Sequence, residues 1–102
     1  MKKIINGKKY DTETAECVGK WRTQGIATSD FYYKEEILYK KNNGEFFLYG
    51  YGGAMTRWRE LVADSSIAGE DILPYSSAQA KNWVEMRLPA EEYERLFGEV
   101  EE

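Results

Sequence analysis

The stretch Ile37-Leu38-Tyr39-Lys40-Lys41-Asn42-Asn43-Gly44-Glu45-Phe46-Phe47-Leu48-Tyr49-Gly50-Tyr51 decides the fold. Two runs rich in aromatic and branched residues flank an Asn-Gly dipeptide, the combination expected of an antiparallel β-hairpin. With a two-residue turn at Asn43-Gly44, Ile37, Tyr39, Phe46 and Leu48 share one face, while Leu38, Phe47, Tyr49 and Tyr51 share the other. A three-residue turn with Gly44 left-handed instead pairs Lys41 with Glu45. It also exchanges the faces of the second strand, because a slip of one residue inverts every side chain. Aromatic residues occupy both faces in either register, which predicts burial, at least in part, on two sides of the sheet.

Upstream, Ile4-Ile5 and Lys8-Lys9-Tyr10 flank Asn6-Gly7, a second hairpin signal of type I′ character. Asp11 or Thr12 then caps a short expected helix, with Glu13 and Glu16 near its positive end, Ala15 and Val18 facing inward and Gly19 as its stop. Trp21 to Ser29 carries mixed signals and is left unassigned. Downstream, Gly50-Tyr51-Gly52-Gly53 breaks the strand and lets backbone approach a neighbour closely. Met55, Trp58 and Leu61 or Val62 have helical spacing, Asp64-Ser65-Ser66 and Gly69 make a loop, and Ile72-Leu73 form a short strand ending at Pro74. Ser76 and Gln79 make a capping box, followed by a buried stripe of Ala80, Trp83, Val84 and Leu88. Pro89 ends that helix and opens another, whose inner side is Tyr93, Leu96 and Phe97 and whose stop is Gly98. The expected fold is α+β: an antiparallel sheet built on β-hairpins, one short N-terminal helix and two C-terminal helices, in a single domain of residues 1–102.

Composition excludes several chemistries. With 102 residues and no histidine, the chain has neither imidazole catalysis nor imidazole metal ligands. Cys17 is alone, without an intrachain disulfide partner or an activating histidine, and reads as a small buried apolar residue. The adjacent acids Glu35-Glu36, Glu70-Asp71 and Glu91-Glu92 point in different directions on a strand or helix, so none is a prepared acid/base pair. Asp64 with Glu70 and Asp71 lacks the spacing of a calcium loop. No apolar run reaches a membrane-spanning length, and the start is too short and polar for a signal peptide, so the expected location is the cytoplasm. No cofactor or metal is expected.

Charge is divided along the chain. Residues 1–41 hold nine Lys/Arg against six Asp/Glu, and residues 42–102 hold five against twelve. The acidic overall balance opposes general affinity for nucleic-acid phosphates. Gly44-Glu45-Phe46-Phe47 places an acid where an RNA-recognition strand requires a base. The glycines at 50–53 fit neither nucleotide-loop pattern, and read as a tight turn or close packing. Arg57 and Arg59, on either side of Trp58, are candidates for a phosphate or carboxylate, or a solvated face.

Several segments together carry a resemblance: Lys9-Tyr10-Asp11-Thr12-Glu13-Thr14-Ala15, Leu38-Tyr39-Lys40-Lys41, Gly44-Glu45-Phe46-Phe47-Leu48-Tyr49-Gly50, Gly52-Gly53-Ala54-Met55-Thr56, Ala80-Lys81-Asn82-Trp83 and Phe97-Gly98-Glu99-Val100. In this order they resemble a family of small proteins carried by phages and integrative elements of low-GC Gram-positive bacteria, which look in part like anti-CRISPR inhibitors. The resemblance implies a non-enzymatic protein that binds a CRISPR effector such as a Cas nuclease and blocks its nucleic-acid site. The basic N-terminal portion departs from a uniformly acidic DNA mimic. The residues expected to meet the partner are Glu91, Glu92, Glu94, Glu99, Glu101 and Glu102 for charge, with Tyr49, Tyr51 and Trp58 as anchors. The alternative is a nucleic-acid-binding or regulatory accessory protein of a mobile element, drawing on Lys2, Lys3, Lys8, Lys9, Lys40 and Lys41; these lysines also suit the protection of a sheet edge.

Overall fold

In the computed structural model, which describes residues 1–102, the long hairpin forms from β4 (Lys34–Lys40) and β5 (Phe46–Gly52). Its turn is the three-residue one. The Lys41 amide donates to the Glu45 carbonyl at 2.8 Å, Gly44 has φ 91, and the Asn43 side chain accepts from the Glu45 amide at 3.0 Å. Leu38 therefore faces Leu48, and Tyr39 faces Phe47. An l-residue at Gly44 is strained, so Gly44→Ala is expected to lose about 1–2 kcal/mol; a urea unfolding midpoint checks it.

The hairpin lies inside a four-stranded antiparallel sheet of order β3-β4-β5-β8, with β3 at Glu16–Arg22 and β8 at Gly69–Tyr75. Before it comes the small hairpin β1 (Lys2–Ile5) and β2 (Lys8–Asp11), turned by Asn6 at φ 51 and Gly7 at φ 78. Between β5 and β8 the chain makes a third hairpin, β6 (Glu60–Val62) and β7 (Ser65–Ile67). Two helices follow, α1 (Ser77–Arg87) and α2 (Ala90–Phe97). The fold is α+β with antiparallel sheets, and both helices are C-terminal. Neither is long and apolar enough to cross a membrane.

The expected helix after Asp11 is absent. Asp11 Oδ1 accepts from the Glu13 amide at 2.9 Å and the Ala15 amide reaches the Asp11 carbonyl at 3.1 Å, so a single turn forms and stops. From Glu16 the chain becomes β3, where Cys17, Val18 and Trp21 have strand propensity and β4 would otherwise offer an unpaired edge. A register shift at Val18 separates the Cys17 and Gly19 pairs. Gly19 does not stop a helix: a Cβ there would collide with the Leu88 side chain. Cys17 is exposed on this strand and fills no core. Met55 to Val62 is likewise non-helical, made of turns and then β6, while Ser65 and Ser66 belong to β7 rather than a loop. The short strand expected at Ile72-Leu73 extends through Pro74, which is tolerated because β8 is an edge strand.

Both faces of the sheet are covered. On one side Leu38, Phe46 and Leu48 pack with Val18, Trp58 and the α1 residues Ala80, Trp83 and Val84. Tyr93, Leu96 and Phe97 of α2 pack against the margin of that cluster. On the other side Tyr10 of the small hairpin meets Phe47 edge-on at 5.6 Å, and Tyr39 stacks on Phe47 at 5.2 Å. Burying each of Leu38, Leu48 and Phe47 contributes about 1.5–3 kcal/mol. Helix α1 begins with the capping box: Ser76 Oγ accepts from the Gln79 amide at 3.1 Å and Gln79 Oε1 from the Ser76 amide at 2.8 Å. Gly98, at φ 92, ends α2.

The small hairpin is also tied to the long one through charge. Lys8 Nζ donates to Glu45 at 2.8 Å, Asn43 Nδ2 donates to Glu45 at 2.9 Å, and these bonds, Lys8 first, hold the Glu45 carboxyl at about 2 against a usual 4.5. Because the folded value lies below the unfolded one, the contribution is complete above the usual value and is lost as pH falls toward the folded one. Glu45→Gln is therefore expected to flatten the acid limb of the stability curve between those two pH values, read by chemical denaturation at stepped pH.

Candidate functional site

Alternation along β4 places Glu36 on the same face as Leu38, under the helices. Glu36 is only 3% exposed, yet both its oxygens are occupied. Trp58 Nε1 donates to Oε2 at 3.1 Å and Trp83 Nε1 to Oε1 at 3.0 Å. One carboxylate thus links the 53–59 turn to α1 across the sheet. Its neighbour Glu35 takes the opposite direction and accepts from Tyr33 Oη at 2.8 Å, which raises the Tyr33 phenol above its ordinary range. Adjacent acids do diverge, as strand geometry requires.

The glycines of 50–53 make this arrangement possible. A Cβ on Gly50 would fall within the indole of Trp58, one on Gly52 would strike Thr56, and one on Gly53 would meet the carbonyls of Asp30 and Phe31. The close-packing reading of this segment holds, but the segment does not break the strand, because β5 runs on through Gly52 with pairing on both sides. Trp58 itself is 4% exposed, so it belongs to the core and offers no contact area to a partner. Its expected place as a partner anchor is corrected, because the turn lays the indole against Gly50 inside the core.

Above Glu36 opens a cleft of about 550 Å³ between α1 and the turn carrying Arg57. Lys34, Arg57 and Arg87 line it. Arg87 stacks on Trp21 with Cζ 3.8 Å from the ring centre, and the Lys34 ammonium lies 5.6 Å from the same ring. Arg57 stacks over Trp58 at 4.7 Å.

The glutamates expected to meet a partner lie elsewhere. Glu91 and Glu94 are exposed on α2, and Glu99, Glu101 and Glu102 are exposed beyond it. Glu92 is half-buried and bonded to Arg95, with Oε2 2.8 Å from Nε. None of the other five forms an ion pair. Val100 folds beside Leu88, Ala90 and Tyr93, lining with Glu85 and Glu94 a groove of about 310 Å³. Val100 therefore joins α1 and α2 in one apolar groove whose acids are Glu85 and, of the expected glutamates, Glu94.

Tyr49 and Tyr51 are half-buried and lie on the other face of the sheet, away from α2. Tyr49 Oη donates to Glu70; burial first, then that bond, push the phenol well above its usual range. The tyrosines and glutamates thus do not form one surface. Of the lysines, Lys3 pairs with Asp71, Lys8 and Lys41 pair with Glu45, and Lys41 covers Tyr10, while Lys2, Lys9 and Lys40 are in no ion pair. Glu70 and Asp71 are likewise engaged by Tyr49 and Lys3, and no group of three or more acids or cysteines has metal-holding geometry.

Sequence reasoning missed Glu36 and the cleft. A signal existed: Glu36 interrupts an apolar alternation that continues through Leu38, and a carboxylate at a core-facing position requires donors. Among known proteins, the chain matches no family model, no curated protein and no solved structure.

Proposed function

We propose that this chain is a non-enzymatic binding protein of the anti-CRISPR kind, acting in the cytoplasm of a bacterial host. It occupies the basic nucleic-acid site of a CRISPR effector. The observation that carries the reading is the acid-rimmed groove at the C-terminal end. Five exposed carboxylates without ionic partners, Glu91, Glu94, Glu99, Glu101 and Glu102, lie on α2 and the segment after it, and Glu94 lines the groove with Glu85, Leu88, Tyr93 and Val100. An effector channel for duplex DNA or guide RNA is lined by Lys and Arg. Carboxylates without internal partners are available to such a surface, and the apolar groove beside Glu85 and Glu94 supplies contact area. The side chains assigned to contact are Glu91, Glu94, Glu99, Glu101 and Glu102, with Tyr93 in place of Trp58 as the aromatic anchor. The pairing of Lys3, Lys8 and Lys41 with acids weighs against the alternative of direct nucleic-acid binding.

The test is inhibition of DNA cleavage by purified effectors of types I, II, III and V, with complex formation followed by size-exclusion chromatography. Inhibition accompanied by a stable complex with at least one effector is expected. Absence of both across the panel contradicts the reading.

A further inference from the structure

We propose that the cleft between α1 and the Arg57 turn binds a small phosphomonoester, independently of the partner surface at the C-terminal end. In a chain of net charge −4, this cleft gathers Lys34, Arg57 and Arg87. None of the three is in an ion pair. The only carboxylate lining the cleft is Glu36, whose oxygens already accept from two indoles. Three cations against one anion leave a local excess of two positive charges.

That excess matches a phosphate monoester, which carries about −1.5 to −2 near neutral pH; a monocarboxylate leaves part of it uncompensated. Two of the cations are guanidinium groups, whose planar donors suit phosphate oxygens. Stacking on Trp21 and Trp58 holds Arg87 and Arg57 before a ligand arrives, which lowers the ordering cost of binding. The Gln79 oxygen is committed to the helix cap, leaving its NH₂ group as a further donor lining the cleft. Leu73, Tyr75 and Met86 supply an apolar wall for the body of the ligand. The volume of about 550 Å³ falls within the ordinary range of small-molecule sites.

The experiment titrates AMP, ribose 5-phosphate, phenyl phosphate and benzoate into the full chain at low salt, reading tryptophan emission and heat. Saturable binding of at least one phosphomonoester is expected, with benzoate weaker than phenyl phosphate by about tenfold or more. Tighter AMP than ribose 5-phosphate assigns a nucleotide, and the reverse assigns a sugar phosphate. Arg57→Ala and Arg87→Lys are each expected to weaken binding by about tenfold, the second through loss of the planar fork. Arg59→Ala, which lies outside the cleft, leaves binding unchanged. Circular dichroism melting curves establish that each variant is folded before titration, and Arg57, an exposed side chain, can be removed without disturbing the core. No saturable signal from any phosphomonoester up to about 10 mM overturns the proposal, given that such a limit corresponds to less than about 3 kcal/mol of binding. Equal binding of benzoate and phenyl phosphate, or unchanged affinity in both arginine variants, overturns it as well. Each of these outcomes leaves effector inhibition to be decided by its own assay.

Discussion

Replacing Glu36 with alanine is expected to cost about 3–5 kcal/mol of folding stability, a large share of the roughly 5–15 kcal/mol typical of a domain. The reason is the pair of indole N–H groups that its oxygens accept, at 3.1 Å from Trp58 and 3.0 Å from Trp83. Both would be left buried without an acceptor, each at about 1–3 kcal/mol, and a cavity would open between them. Glu36→Gln keeps one acceptor and turns an NH₂ group toward the other indole, so its expected loss is smaller, about 1–3 kcal/mol. Urea unfolding followed by tryptophan emission measures both. A loss below about 1 kcal/mol for the alanine variant would mean that the two indoles find other partners.

Gly50→Ala acts on the same cluster from beneath. A Cβ at that position coincides with atoms of the Trp58 ring, so the indole must move away from the sheet and release Glu36. Overpacking and the lost hydrogen bond together set an expected cost of about 3–5 kcal/mol. The backbone at Gly50 is ordinary extended strand, so the effect is steric rather than conformational. A diminished near-ultraviolet circular dichroism signal and a red-shifted emission maximum accompany the loss. Native spectra with an unchanged unfolding midpoint contradict this account of the turn.

Local signals in the sequence were strong where they were self-contained. Asn6-Gly7 turned the first hairpin, Ser76 and Gln79 capped α1 reciprocally, and the stripe Ala80-Trp83-Val84 faced the core. Signals that depend on a distant partner were not readable. Asp11 does bond to the start of a turn, as a cap would, but β4 recruits the following residues into a strand. Trp58 has helical spacing from Met55, yet its position is fixed by the absence of a side chain on Gly50 and by an acceptor on β4. The register of the long hairpin was undecidable from Asn43-Gly44 alone; the contact between Leu38 and Leu48 across the strands belongs to the three-residue turn.

The candidate surfaces follow the same division. Glutamates 91, 94, 99, 101 and 102 are exposed, as an acidic helix and tail suggest, because nothing apolar in them favours burial. The nearness of Glu94 to Glu85 belongs to the groove in which Val100 meets Leu88 and Tyr93, a tertiary contact without a local signature. The cationic cleft is assembled from β4, the 53–59 turn and the end of α1, which are far apart along the chain.

The most direct measurement is displacement of labelled duplex DNA from an effector that the chain inhibits, comparing the native protein with one in which Glu91, Glu94, Glu99, Glu101 and Glu102 are all glutamine. The native protein is expected to release the DNA with an affinity that falls as salt rises, and the glutamine protein, folded by circular dichroism, to lose at least about tenfold. Equal displacement by the two proteins would contradict an electrostatic contact through the C-terminal carboxylates.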